Sequence, residues 1–99
     1  MQVGAKDKRI KALNAGQRGV KGWPKNIETL VVEILAVLIA APNLATVSMA
    51  HPSWRVHHHK PRNLKSPWSI DVTGNTRLLF FYDIKTHFIS GLVFDDPHA

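Results

Sequence analysis

The sequence predicts an α+β domain in which two N-terminal helices pack on a mostly antiparallel, twisted sheet of four to five strands. Three observations carry that expectation. Apolar residues recur at helical spacing in the first half of the chain, and Ile27, Leu30, Val31, Ile34, Leu38 and Ala41 trace one face. The second half holds short runs rich in aromatic and branched residues, separated by turn residues. Ninety-nine residues at 44% apolar content suffice for one core, so residues 1–99 read as a single domain. Helices followed by strands segregate into two layers.

Taken in order, Met1–Ala5 is a short strand or a ragged end, and Lys6–Ala15 is a helix with Ile10 and Leu13 three apart. Gly16, Gly19 and Gly22 mark a loop that leads through Trp23-Pro24 into the second helix. Asn26 is its expected N-cap, and Glu28 stands in the first turn, where the helix dipole favours an acid. Val32, Leu35 and Ile39 make the opposite side apolar too, which calls for burial by the sheet and by a partner protein. The run from Leu30 to Ala41 is interrupted by Glu33 and closed by Pro42, too short for the ~20 apolar residues of a membrane span. Leu44–Ala50 reads as irregular or briefly helical. Ser53–His59, Pro67–Val72, Thr76–Tyr82 and His87–Phe94 are the expected strands, the middle pair joined by a Thr73-Gly74-Asn75 turn.

The absence of cysteine excludes disulfides, thiolate zinc sites and a cysteine nucleophile, and fits a cytoplasmic protein. No secretory signal is apparent in the first 13 residues. Charge is uneven. Thirteen Lys and Arg oppose seven acids, giving a net charge of +6. Lys6, Lys8, Arg9, Lys11, Arg18 and Lys21 face Asp7 alone, and Arg55, Lys60, Arg62 and Lys65 have no neighbouring acid in sequence. Two basic segments on a small domain favour phosphate contacts and faster encounter with polyanions, or serve as solvated faces.

Four features carry candidate chemistry. The first is His57-His58-His59-Lys60. On a strand, His57 and His59 share one face and His58 and Lys60 the other. The cluster reads as an RNA-contacting strand, a solvated polar strand or, with a third ligand lacking nearby, a metal site. The second is Arg77, in a strand otherwise filled by Leu78, Leu79, Phe80 and Phe81, where a guanidinium needs an anion or pairs with Asp71 or Asp96. The third is Asp95-Asp96-Pro97-His98. The fourth is a set of aromatic residues that belong to the core, unless one is exposed to stack on a base.

Together these segments resemble the HigB-type toxins of the RelE superfamily, ribosome-dependent mRNA interferases of bacterial toxin–antitoxin pairs. That group tends to carry a His-x-x-Lys segment, a Trp-Ser-Ile-x-Val strand, a turn with Asn, Trp and Arg, an aromatic strand and a terminal Asp-Tyr-His. The matching residues here are His57 and Lys60, Trp68 to Val72, Asn75 and Arg77, Phe80-Phe81, and Asp96 with His98. Thr76 replaces the tryptophan and Pro97 the tyrosine, and the loop before Trp68 is one residue longer, so His58 competes with His57 for the catalytic position.

The resemblance implies a RelE-like fold and an endoribonuclease that cleaves mRNA on the ribosome by 2′-hydroxyl attack on the adjacent phosphate. His57 or His58, Lys60, Arg77, Asp96 and His98 are its implied catalytic residues. Arg55, His59, Arg62, Lys65, Lys8, Arg9 and Lys11 are the expected RNA contacts. No cofactor or metal is implied. Its partners are a cognate helix-turn-helix antitoxin, the ribosome and mRNA, with no membrane and with DNA reached only through the antitoxin. The alternative is a catalytically impaired module of the same fold that binds RNA or antitoxin.

Overall fold

The computed structural model describes residues 1–97, which form β1 (Gln2–Ala5), α1 (Lys8–Asn14), α2 (Lys25–Ala40), α3 (Leu44–Ala50), β2 (His57–His58), β3 (Trp68–Asp71), β4 (Arg77–Asp83) and β5 (Phe88–Asp95). An α+β architecture is present, with three helices where two were expected and a mixed five-stranded sheet. Helix α1 starts two residues late because Asp7 is its cap, accepting the Arg9 amide hydrogen at 2.8 Å. Helix α2 starts at Pro24 rather than Asn26. The proline occupies the N-cap in extended backbone, so Asn26 falls inside the first turn. Glu28 accepts from the Val20 amide at 2.9 Å and ties the glycine loop to the helix. At the far end the Met1 amino group donates to the carbonyls of Leu38, Ile39 and Ala41, which the helix leaves unpaired. The segment read as irregular or briefly helical is the helix α3, started by Asn43, whose side chain accepts from Thr46 N at 2.9 Å.

The sheet order is β1-β5-β4-β3-β2, with β1 parallel to β5 and every other pair antiparallel. The long strand expected over Ser53–His59 shrinks to His57–His58. Pro52 opens a 3-10 turn through Trp54, and Arg55 then adopts left-handed backbone at φ 50°, which breaks the extended run. All three helices cover one sheet face. Ile10, Leu13, Val31, Leu38 and Val47 bury against Ile70, Leu78, Phe80, Ile89 and Leu92. Phe80 has no exposed surface; truncation of such a residue to alanine typically costs about 3–5 kcal/mol. None of these helices is long and apolar enough to cross a membrane.

Register fixes what lies on the other face. Residues directly opposite in antiparallel strands share a face. One row runs Asp71–Arg77–Asp95, and the next runs His57–Ser69–Leu79–Val93. A third holds Phe81 opposite Ser90, beyond a bulge at Gly91 (φ 65°) that shifts the alternation of β5 by one residue. No helix among the described residues covers these rows.

Candidate functional site

Arg55, His57, Asp71, Gly74, Asn75, Thr76, Arg77 and Pro97 line a cleft of about 350 Å³ at one end of this open face. Its polar groups come from adjacent strands held in register. The turn that walls it is tied by the Val72 and Thr73 amides, which donate to the Thr76 carbonyl, and by a 2.6 Å contact between the Thr73 and Thr76 hydroxyls. Thr76 therefore braces the turn.

His57 is exposed, with its ring beside Ser69 Oγ, 3.4 Å from each ring nitrogen. Its Nδ1 lies 2.8 Å from the Arg55 carbonyl oxygen. A carbonyl only accepts, so Nδ1 carries the hydrogen and the neutral ring keeps its lone pair on Nε2. The left-handed turn at Arg55, a conformation that costs roughly 1–2 kcal/mol, precedes this contact directly. His59 stacks on His57 with ring centres 4.8 Å apart. Loss of surrounding water, then the charges of His57, Arg77 and His58, hold His59 below the ordinary imidazole value.

His58 turns the other way. Its ring lies parallel to Trp68 at 4.7 Å, and its Nε2 is 2.7 Å from Ser66 Oγ. Ser66 in turn donates to the carbonyls of Lys60 and Asn63. Because those carbonyls take the Ser66 hydrogen, His58 Nε2 is the donor, and the residue fastens the 60–66 loop. Of these two histidines, the fold brings His57 into the cleft and leaves His58 outside it.

Arg77 pairs through Nε with Asp95 Oδ2 at 3.0 Å, directly across the β4–β5 ladder. Asp71 and Asp96 were the partners expected from sequence. Asp71 is opposite Arg77 on β3 but makes its ion pair with Arg55, at 3.9 Å. Asp96 lies among Arg9, Trp23 and Phe94, in a separate cleft on the helix side. Asp95 is the partner of Arg77 that sequence reasoning missed, and Asp71 is the acid that lines the cleft. Only the Nε of Arg77 is used in this pair; the two terminal nitrogens have no partner among the described residues. Arg77 is 42% exposed along its side chain, open to an added anion.

The remaining candidates scatter. Lys60, Arg62 and Lys65 are exposed on the loop that His58 fastens, next to β2 but not lining the cleft. The strand ends at His58, so Lys60 belongs to a turn and not to a strand face. Lys8 and Lys11 are exposed on α1, in the layer behind the sheet. Arg9 is committed: it pairs with Asp7 at 2.9 Å and its guanidinium lies 4.5 Å over the Trp23 ring. His98 lies outside the described residues. Among the described residues no three His, Asp or Glu side chains gather as metal ligands. Comparison with known proteins matches no family model and finds no similar curated protein.

Proposed function

We propose that the chain is a RelE-like, HigB-type endoribonuclease, the toxin of a toxin–antitoxin pair, which cleaves mRNA on the ribosome at the His57–Arg77 cleft. The observation that carries the reading is the convergence of these two residues, twenty apart in sequence, on one cleft of the open face. Neutral His57 takes the proton of a ribose 2′-hydroxyl at Nε2. The 2′ oxygen attacks phosphorus, the bond to the 5′ oxygen breaks, and a 2′,3′-cyclic phosphate and a 5′-hydroxyl result. Arg77 stabilises the negative charge that gathers on the phosphate oxygens. The resemblance makes His98 the second proton-transfer group, which with His57 as base protonates the leaving 5′ oxygen, and puts Lys60 with Arg77 on the phosphate charge; Arg62 and Lys65 are the expected contacts to the RNA backbone. An antitoxin would find its apolar contact at the groove between α1 and α2, where Ile39 is half exposed beside Val32 and Ala36.

A second reading has its own observation. Two carboxylates, Asp71 and Asp95, flank Arg77, and Pro97 lines the cleft at the position of the family's tyrosine. Such a site holds RNA or antitoxin with little cleavage. Purified ribosomes carrying a defined mRNA separate the two. Cuts within codons, mapped by primer extension, support the first reading. Salt-sensitive binding without cuts supports the second, and neither binding nor cuts contradicts both.

A further inference from the structure

A cleft of about 600 Å³ lies next to the site just described. Its walls include Leu64, Lys65, Trp68, Phe81, Asp83 and Lys85. Phe81 is the feature that needs explaining. It is 47% exposed although Phe80, its neighbour in β4, is completely buried. It stands on the open face four residues along β4 from Arg77, about 13 Å at the strand rise of ~3.3 Å per residue. That separation corresponds to about two nucleotides of extended RNA chain at roughly 6–7 Å each.

The ring is also held in place. A β carbon at Gly91 would sit 3.1 Å from Phe81 Cδ2 and 3.4 Å from Cε2, so one ring edge lies against bare backbone at the β5 bulge. Lys65 and Lys85 supply positive charge to the cleft. The one acid there is committed: Asp83 accepts from the amides of Lys85 and Thr86 at 2.8 and 3.2 Å.

We propose that Phe81 is a base-stacking platform, the binding subsite for an unpaired nucleotide about two positions from the scissile phosphate, with Lys65 and Lys85 meeting the backbone there. This rests on the reading of the His57–Arg77 cleft as an RNA site. Every base has a π-face, so the platform gives affinity and register with little sequence preference. An aromatic ring seated on a glycine and bordered by two lysines fits a base with its phosphate better than an apolar peptide segment.

The test uses a single-stranded RNA oligonucleotide with 2′-O-methyl riboses, which blocks cleavage, and fluorescence anisotropy at low salt. Phe81→Leu keeps an apolar side chain without an aromatic face and is expected to weaken binding about ten-fold, with an unchanged melting temperature. Phe81→Trp is expected to restore or tighten it. Equal loss in the leucine and tryptophan variants would mean that the site depends on packing, and would overturn the inference. Parental affinity in Phe81→Leu beside weakened Arg77→Ala would overturn it too, while leaving the RNA cleft standing. Weak Phe81→Leu beside normal Arg77→Ala would support the platform and remove Arg77 from the RNA site. A parent protein that does not bind the oligonucleotide overturns the platform and leaves a peptide-docking groove for this cleft, while cleavage of ribosome-bound mRNA decides the His57–Arg77 reading separately.

Discussion

The two basic segments have similar composition and different employment. In the N-terminal one, Arg9 is held by Asp7 and the Trp23 ring, and Arg18 donates to the carbonyls of Leu13 and Gln17. These cations close the helix layer, while Lys8 and Lys11 point into solvent behind the sheet. In the second segment Arg55 lines the cleft and Lys60, Arg62 and Lys65 stand exposed on a pinned loop next to it. Summed charge attracts a polyanion to either; only the second has a cleft that holds a histidine. The difference teaches that a cationic run locates a partner only after the interactions that consume its charges are subtracted.

The largest expected effect lies at His57. His57→Ala is expected to slow RNA cleavage about 10²–10⁴-fold, the usual contribution of a general acid–base group, without lowering the melting temperature. His58→Gln should do the reverse: loosened 60–66 loop, lower stability, and cleavage reduced only as far as the loop is displaced. Rate measurements alongside thermal melts separate them. Arg77→Ala comes next, at about 10²–10³ in rate, with Arg77→Lys recovering a part because a point charge lacks the two-pronged fit to phosphate oxygens. Melting of the Arg77→Ala variant should stay close to the parent, since the pair with Asp95 is partly exposed.

The comparison sharpens further with salt. Replacing Arg62 and Lys65 by alanine should flatten the dependence of log affinity on log salt by about 0.7 for each phosphate that the variant no longer neutralises. The same change at Lys8 and Lys11 should leave the slope alone. A flattened slope in the Lys8 and Lys11 variant would place RNA on the helix layer. In that layer Asp7→Ala should cost about 1 kcal/mol by removing the helix cap, read as a lower melting temperature with RNA affinity unchanged.

Acid supplies the smallest test. With His59 below its ordinary value when folded, the unfolded chain takes up its proton first. Stability is complete above the unfolded pKa near 6.5 and declines as pH falls below it. His59 is exposed, so the slope is slight. His59→Gln should remove it from melting curves taken between pH 5 and 7.

Much of this fold is legible in the residues. The 3.6-residue period marks α2, and the Gly74-Asn75 turn between two apolar runs marks the β3–β4 hairpin. What escapes is set by events that a pattern does not show. Seven-residue α3 is too short to display a period, so the sequence alone leaves it between irregular and briefly helical, and the Asn43 cap decides for the helix. β2 is cut short by a left-handed residue, Arg55, that is not a glycine. The partner of Arg77, Asp95 rather than Asp71 or Asp96, escapes for the same kind of reason. Strict alternation along β5 puts Ile89 and Phe94 on opposite faces, whereas the bulge at Gly91 puts both on the helix side and sets Asp95 opposite Arg77. A glycine inside an apolar strand was the signal that could have shown it.

The central claim is that His57 and Arg77 act on one phosphate from one cleft. Single-turnover cleavage of ribosome-bound mRNA by the parent, His57→Ala, Arg77→Ala and the double variant, with melting curves for each, tests it most directly. Groups that act as a unit are non-additive, so each single change should reduce the rate about 100-fold or more, and the double variant should fall much less than the product of the two reductions. Parental cleavage by either single variant with a normal melting curve, or reductions that multiply, would contradict it.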